Sequence, residues 1–202
     1  MPQGLLLVVS GPSGCGKGTV CDLLRERNPK LAYSISATTR KARPGEKDGI
    51  DYFFLTPDEF KLRSQQKEFL EQAKVFGHWY GTPRTWVEEK LSTGRDVLLE
   101  IEPQGALQIK ANYPVGILLF LLPPNWSELK RRINGRGTER ADEIALRLRM
   151  AKQEIEQICN YDYFVINREV KKAVFEIEAI LLAEHCRVNR YNKQKLKAML
   201  EG

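Results

Sequence analysis

No apolar stretch in this chain approaches the roughly 20 residues that a membrane-spanning helix needs. The run Leu5–Val9 carries no basic leader and no cleavage-like site before Gly11, so it reads as a first strand rather than a signal peptide. Cysteine is sparse. Cys15, Cys21, Cys159 and Cys186 form no CxxC pair and no zinc spacing, which argues for a reduced, cytoplasmic protein without disulfides. Repeats and low-complexity linkers are missing too. The charge excess is modest, with 32 Lys and Arg against 26 Asp and Glu, a net of +6. It favours anionic partners without choosing among nucleic acid, nucleotides and acidic surfaces. The basic tail from Arg187 to Lys197 has no interleaved aromatic platform for bases, so it reads as a solvated helix end and no nucleic-acid partner is expected.

What is present suffices for one α/β domain: 202 residues, 42% of them apolar. Strand-like runs lie at Leu5–Ser10, Tyr33–Ser36, Tyr52–Leu55, Phe69–Phe76, Val97–Ile101, Gly116–Leu122 and Tyr163–Ile166. Continuously apolar runs such as Ile117–Leu122 suit strands buried on both faces, as in parallel sheets. Helical patterns fill the gaps. Thr56, Pro57 and Glu59 spell an N-cap, an N1 proline and a capping-box partner. Pro83 opens a segment to Leu91, and Asn125 or Ser127 opens another. Asp142–Ile158 sets Ile144, Leu148, Ala151, Ile155 and Ile158 on one stripe, and Val170–His185 follows. The alternation predicts a mainly parallel sheet flanked by helices. Residues 33–82, richer in strands, aromatics and turns, read as an inserted β-rich subdomain. The expected division is a core of 1–32, 83–124 and 160–202, the insert 33–82, and a small lid region 125–159.

The densest chemistry lies at Gly11-Pro12-Ser13-Gly14-Cys15-Gly16-Lys17. It follows the apolar strand and precedes the apolar-periodic segment Val20, Leu23, Leu24. Strand, glycine loop and helix start form a phosphate cradle. Glycines let backbone N–H groups converge on an anion, the helix N-terminus adds positive potential, and Lys17 reaches the outer phosphates of a nucleotide. Gly18 follows Lys17 where Ser or Thr usually supplies a hydroxyl to Mg²⁺, and a hydroxyl comes only at Thr19. A metal ion is then expected to be held mainly by phosphates and water, with no dedicated protein ligands.

A second anion site is suggested by Thr38-Thr39-Arg40-Lys41-Ala42-Arg43-Pro44-Gly45-Glu46. Two guanidinium forks three residues apart in a turn-rich loop can grip one phosphate. Tyr52 and Tyr80 could donate phenolic hydroxyls to it. Each tyrosine by itself would equally fill a core or a rim.

Over essentially its full length the chain resembles the guanylate kinases. The resemblance rests on Gly11–Thr19, Ser34–Arg40, Arg43–Glu46, Asp51–Phe54, Phe69–Glu71, Tyr80–Thr82, Glu100–Gly105, Leu122–Pro124 and Gly135–Thr138, in that order and spacing. It implies transfer of the γ-phosphoryl group of ATP to GMP, with Mg²⁺. Gly11, Pro12, Ser13, Gly14, Cys15, Gly16, Lys17, Gly18 and Thr19 would hold ATP, with Asn167 near its adenine. Ser36, Arg40, Arg43, Tyr52, Glu71, Tyr80, Thr82 and Glu100 would hold GMP. Lys17, Arg40 and the lid arginines Arg132, Arg136 and Arg147 would act on the transferring group. Glu71 would read guanine, whose N1–H and 2-amino group present two adjacent donors that one carboxylate accepts; a base lacking one leaves a buried acceptor unpaired. On the residues alone, Glu71 reads equally as an exposed strand carboxylate. Two other functions stay open at this point: a non-catalytic interaction module of the same fold, and a P-loop kinase with another phosphorylated acceptor. Oligomeric state is not legible.

Overall fold

The computed structural model describes residues 3–75, 77–135, 141–191 and 197. Its centre is a five-stranded, wholly parallel sheet. The strands are β1 (Leu6–Ser10), β2 (Ala32–Tyr33), β7 (Val97–Glu100), β8 (Ile117–Leu122) and β9 (Tyr163–Ile166), in the order β2-β7-β1-β8-β9. Every residue of β1 is buried, with Val8 opposite Leu99 on one side and Leu118 on the other. The alternation of side chains across that strand feeds two cores. Leu7 and Val9 pack with Val20 and Leu24 of α1 (Lys17–Arg27) and with Val174 and Ile177 of α7 (Val170–His185). Leu6 and Val8 pack with Val87 and Leu91 of α3 (Arg84–Ser92) and with Ala106 and Ile109 of α4 (Pro103–Asn112). Helices thus cover both faces, as continuous apolar strands require.

A second sheet, in the order β4-β3-β6-β5, is built from β3 (Ala37–Thr38), β4 (Phe53–Phe54), β5 (Phe69–Val75) and β6 (His78–Pro83). Phe60 of α2 (Pro57–Gln65) stacks on Phe69 with ring centroids 4.6 Å apart. Helix α2 starts as its sequence dictates: the Thr56 hydroxyl accepts from Glu59 N–H at 3.3 Å, and Glu59 accepts from Thr56 N–H at 2.7 Å. The third unit pairs α5 (Trp126–Asn134) with α6 (Ala141–Ile155) through Leu129, Ile133, Ile144, Leu148, Ala151 and Ile155.

Several boundaries differ from expectation. The run Tyr33–Ser36 is not one strand, because the chain leaves the core sheet after Tyr33 and joins the second sheet at Ala37. Strand β6 escaped notice because its Gly81 and Pro83 read as a turn. Gly81 is there for a close approach, since a Cβ would lie 2.9 Å from the Phe69 ring. Pro83 ends β6 in extended conformation and caps α3 rather than opening it. Pro103 does open a helix, α4, which runs ten residues. Asn125, not Ser127, caps α5, its side chain accepting from Glu128 N–H at 2.8 Å. Helix α6 gives way after Ile155 to a 3₁₀ turn, Glu156–Asn160. Among the described residues no helix is long and apolar enough to cross a membrane. All four cysteines are free, Cys15 and Cys21 buried, Cys159 and Cys186 exposed.

Candidate active site

At the C-terminal end of β1 the chain turns through the glycine loop into α1. Gly11 (φ +148°) and Gly16 (φ +95°) occupy backbone regions closed to other residues. A Cβ at Gly11 would fall 2.2 Å from the Leu121 carbonyl, and one at Gly16 would fall 2.5 Å from Asn167 Nδ2. The loop is therefore clamped between β8 and the segment after β9. Lys17, the first residue of α1, donates through Nζ to the Gly11 carbonyl at 2.6 Å and lies 3.4 Å from Glu102. Burial works against its charge, but the carboxylates of Glu102 and Glu100 outweigh it, so its pKa stands above that of a free lysine. Glu102 was noted in sequence only as part of a motif; its place beside Lys17 comes from the turn between β7 and α4.

One cavity of about 590 Å³ spans the gap between the glycine loop and the second sheet. Ser13 and Lys17 line one end; Ser36, Arg40, Arg43, Tyr52 and Tyr80 line the other. The two candidate anion sites thus share one concavity. Arg40 makes a bidentate pair with Glu46, at 2.8 and 2.9 Å, and Glu46 also accepts from Arg43 N–H at 2.7 Å. Glu46 thereby closes the arginine loop on itself and sets the orientation of the Arg40 fork. The Arg40 guanidinium lies 5.3 Å from the Tyr52 ring centre, and Tyr52 meets Tyr80 edge-on at 6.0 Å. Arginine and both phenols are packed as one wall.

The base-reading candidate is not an exposed strand carboxylate. Glu71 is 4% exposed, and Thr82 donates its hydroxyl to Glu71 Oε1 at 2.7 Å. Burial pushes the Glu71 carboxyl up to about 7, against the pull of Thr82. Thr82 is fully buried behind it, supporting the carboxylate rather than lining the cavity. Glu100 lines the cavity, its carboxyl raised by burial, with Tyr33 donating to it at 3.4 Å. A Cβ at Gly18 would lie 3.7 Å from Glu100 Oε1. Where a loop hydroxyl is missing, a carboxylate faces the gap.

The arginines of α5 and α6 are divided. Arg147, on α6, lines the cavity and donates to the Ser13 hydroxyl at 2.6 Å. Arg132, on α5, is hydrogen-bonded to the backbone of the loop and of the segment after β9. Its Nη1 donates to the Cys15 carbonyl at 3.0 Å, its Nη2 to the Asn167 carbonyl at 3.2 Å, and its Nε to Glu128 at 2.8 Å. Asn167 is buried and donates to the same Cys15 carbonyl at 2.9 Å. These two residues brace the loop rather than face the cavity. Thr19 is exposed on α1. Arg136 lies outside the described residues. Burial raises the Cys15 thiol, opposed by Lys17, so the loop cysteine stays protonated and inert. Sequence reasoning missed Glu46, Tyr33 and Ser34; Tyr33 ends β2 and Ser34 follows it, and both line the cavity where the chain crosses from one sheet to the other.

A glycine-built phosphate loop on a parallel sheet, opposed by an arginine-and-tyrosine pocket on an inserted sheet, defines the class of P-loop kinases that act on small phosphorylated acceptors. Within that class the chain belongs to the guanylate kinase family, whose model, described as "Guanylate kinase", matches residues 3–184. It is 50% identical over 200 residues to the guanylate kinase of Caldanaerobacter subterraneus subsp. tengcongensis, covering 99% of this chain and 97% of that one. It is 51% identical over 189 residues to that of Clostridioides difficile, covering 94% and 92%. The crystal structure of guanylate kinase from Anaplasma phagocytophilum superposes with a TM-score of 0.81 at 33% identity, over 96% of this chain and 93% of that chain.

Proposed function

We propose that this chain transfers the γ-phosphoryl group of ATP to GMP, giving ADP and GDP. The observation that carries the reading is the buried pair Glu71–Thr82 in the wall that also holds Arg40 and Arg43, opposite Lys17. A carboxylate with free lone pairs suits the two donors of guanine; a threonine that already donates to it keeps it oriented. Arg40, Arg43, Tyr52 and Tyr80 take the acceptor phosphate, and Ser36 takes the base edge. Lys17, the loop amides from Gly11 to Thr19 and Arg147 take the donor phosphates. In this reading residues 33–82 form the acceptor lobe, 125–159 the lid, and the remainder the core.

The attacking atom is a phosphate oxygen. A phosphomonoester is mostly dianionic at neutral pH, its second pKa being near ~6, so no general base is needed. Catalysis reduces to alignment and charge neutralisation. Arg40, pre-oriented by Glu46, aligns the acceptor; Lys17 and Arg147 neutralise charge on the transferring group. Mg²⁺, when bound, would supply further charge neutralisation. Among the described residues no three His, Cys, Asp or Glu side chains gather to hold a metal. Glu100 and Glu102 near Lys17 are hard oxygen donors that suit an ion kept mainly by phosphates and water. The four free thiols suit a reducing compartment, the cytoplasm.

An acceptor panel with ATP and Mg²⁺, following ADP release, tests the reading. GMP is expected to drive turnover far above AMP, sugar phosphates or water. Equal ADP release with and without GMP overturns it.

A further inference from the structure

Glu71 sits in an irregular piece of strand. Between the pairs Phe69↔Pro83 and Gln72↔Gly81, strand β5 spends one more residue than β6. That extra residue is a β-bulge, a device that re-aims a side chain and loosens the ladder around it. Strand β5 is also the outer strand of its sheet, so the backbone groups on its free edge have no strand partner. Helix α4 of the core supplies partners instead. Gln108 accepts from Gln72 N–H at 3.1 Å and donates to the Gln72 carbonyl at 2.8 Å, mimicking a strand. Asn112 donates to the Leu70 carbonyl at 3.0 Å. The residues on either side of Glu71 are therefore both fastened to α4. Gly105, Gln108 and Asn112 stand at i, i+3 and i+7, one face of that helix. At Gly105 the approach is closest: a Cβ there would lie 2.4 Å from Glu71 Oε2 and 3.0 Å from its carboxyl carbon. Gly105 is an ordinary helical glycine with no unusual φ, so backbone freedom does not explain it. Space for the carboxylate does.

We propose that Gly105, with Gln108 and Asn112, is a specificity-determining support: the missing side chain at 105 lets the bulged Glu71 present its carboxylate to the acceptor base. The inference rests on the reading of Glu71 as the guanine acceptor. Gly105 and Gln108 are positioning residues, acting through Glu71, and the donor-nucleotide half of the cavity does not depend on them.

The test is a double-mutant cycle on the full chain, measuring KM for GMP, KM for ATP and kcat. Gly105→Ala is expected to raise the KM for GMP about 10- to 100-fold, the loss of a hydrogen bond to a charged group, while the KM for ATP stays within about twofold. In a Glu71→Asp background the carboxylate is one methylene shorter and leaves room for the new methyl group. There, Gly105→Ala is expected to change the KM for GMP by no more than about twofold. A KM for GMP unmoved by Gly105→Ala overturns the proposal, as does the same fold-change in both backgrounds. If Gly105→Ala does not fold, Gln108→Ala decides: a rise of about 3- to 10-fold in the KM for GMP alone supports the support role, and unchanged constants or a parallel loss for ATP overturn it. Glu71→Gln separates the two layers. If that variant discriminates GMP from AMP as well as the parent does, the guanine reading fails, whatever the cycle shows.

Discussion

Two residues carry opposite electrostatic burdens. Lys17 is a buried cation whose charge is sustained by Glu102 and Glu100. Lys17→Ala is expected to lower kcat by about three orders of magnitude or more, since its interaction is made mainly with the transferring group. GMP affinity, read by calorimetry, stays near the parent value; an equal loss of GMP binding would contradict the role. Glu71 is a buried carboxyl raised to about 7 from an ordinary 4.5. Only its ionised form accepts both guanine donors, so GMP binding should weaken as pH falls through about 7. Calorimetric titrations at several pH values check this; Glu71→Gln should retain only the dependence due to the phosphate of GMP, near ~6. The same shift acts on stability with the opposite sense. A raised carboxyl pKa stabilises the fold fully below the unfolded value and loses that contribution as pH rises from about 4.5 to about 7. Glu71→Gln is thus expected to gain most over the parent in denaturant midpoint above pH 7 and little near pH 4.5. In the proposed reading, activity at this position is held at a cost in stability.

At the scale of elements, helices with local signals were legible and strands set by partners were not. The capping box at Thr56 and Glu59, the cap at Asn125 and the apolar stripe of α6 are written in a few neighbouring residues. Strand β6 is held by β5 and β3, and its Gly81 and Pro83 hide it from any local pattern. The α5–α6 pair shows how an element meets the site. Ile133 of α5 is 1% exposed, and a Cβ at Gly14 would lie 2.8 Å from it, so the α5–α6 core rests directly on the glycine loop. Ile133→Ala is expected to cost about 2–4 kcal/mol locally. Amide exchange should quicken in α5 and α6 well before β1 or β8, and the KM for ATP should rise more than that for GMP. Uniform acceleration across the core sheet would place Ile133 in the global core instead.

For the whole molecule, the cavity joins three units that contact it from different sides: loop and core sheet, second sheet, and α6 through Arg147. Ligands that bind only the folded chain stabilise it by mass action. ATP and GMP should each raise the thermal midpoint, and a ligand carrying both nucleosides on one phosphate chain should raise it further than either at equal occupancy. Arg147→Ala is expected to abolish much of that additional gain while leaving the shift with GMP alone. If the linked ligand shifts the midpoint no more than ATP does, the two halves do not close on a shared phosphate.

The sequence by itself determined the parallel core, the glycine loop with Lys17, and the candidate arginines, because each is encoded in short range: apolar runs, glycine spacing, paired guanidinium groups. Tertiary structure decided what those groups do next to one another. It buried Glu71 and raised its pKa, turned Tyr33 and Ser34 toward the cavity, and placed Glu102 beside Lys17. It also brought Arg132 and Asn167 together on the Cys15 carbonyl of the loop. Those outcomes depend on which surfaces distant segments present to each other, and dielectric, crowding and hydrogen-bond partners exist only once the segments have met.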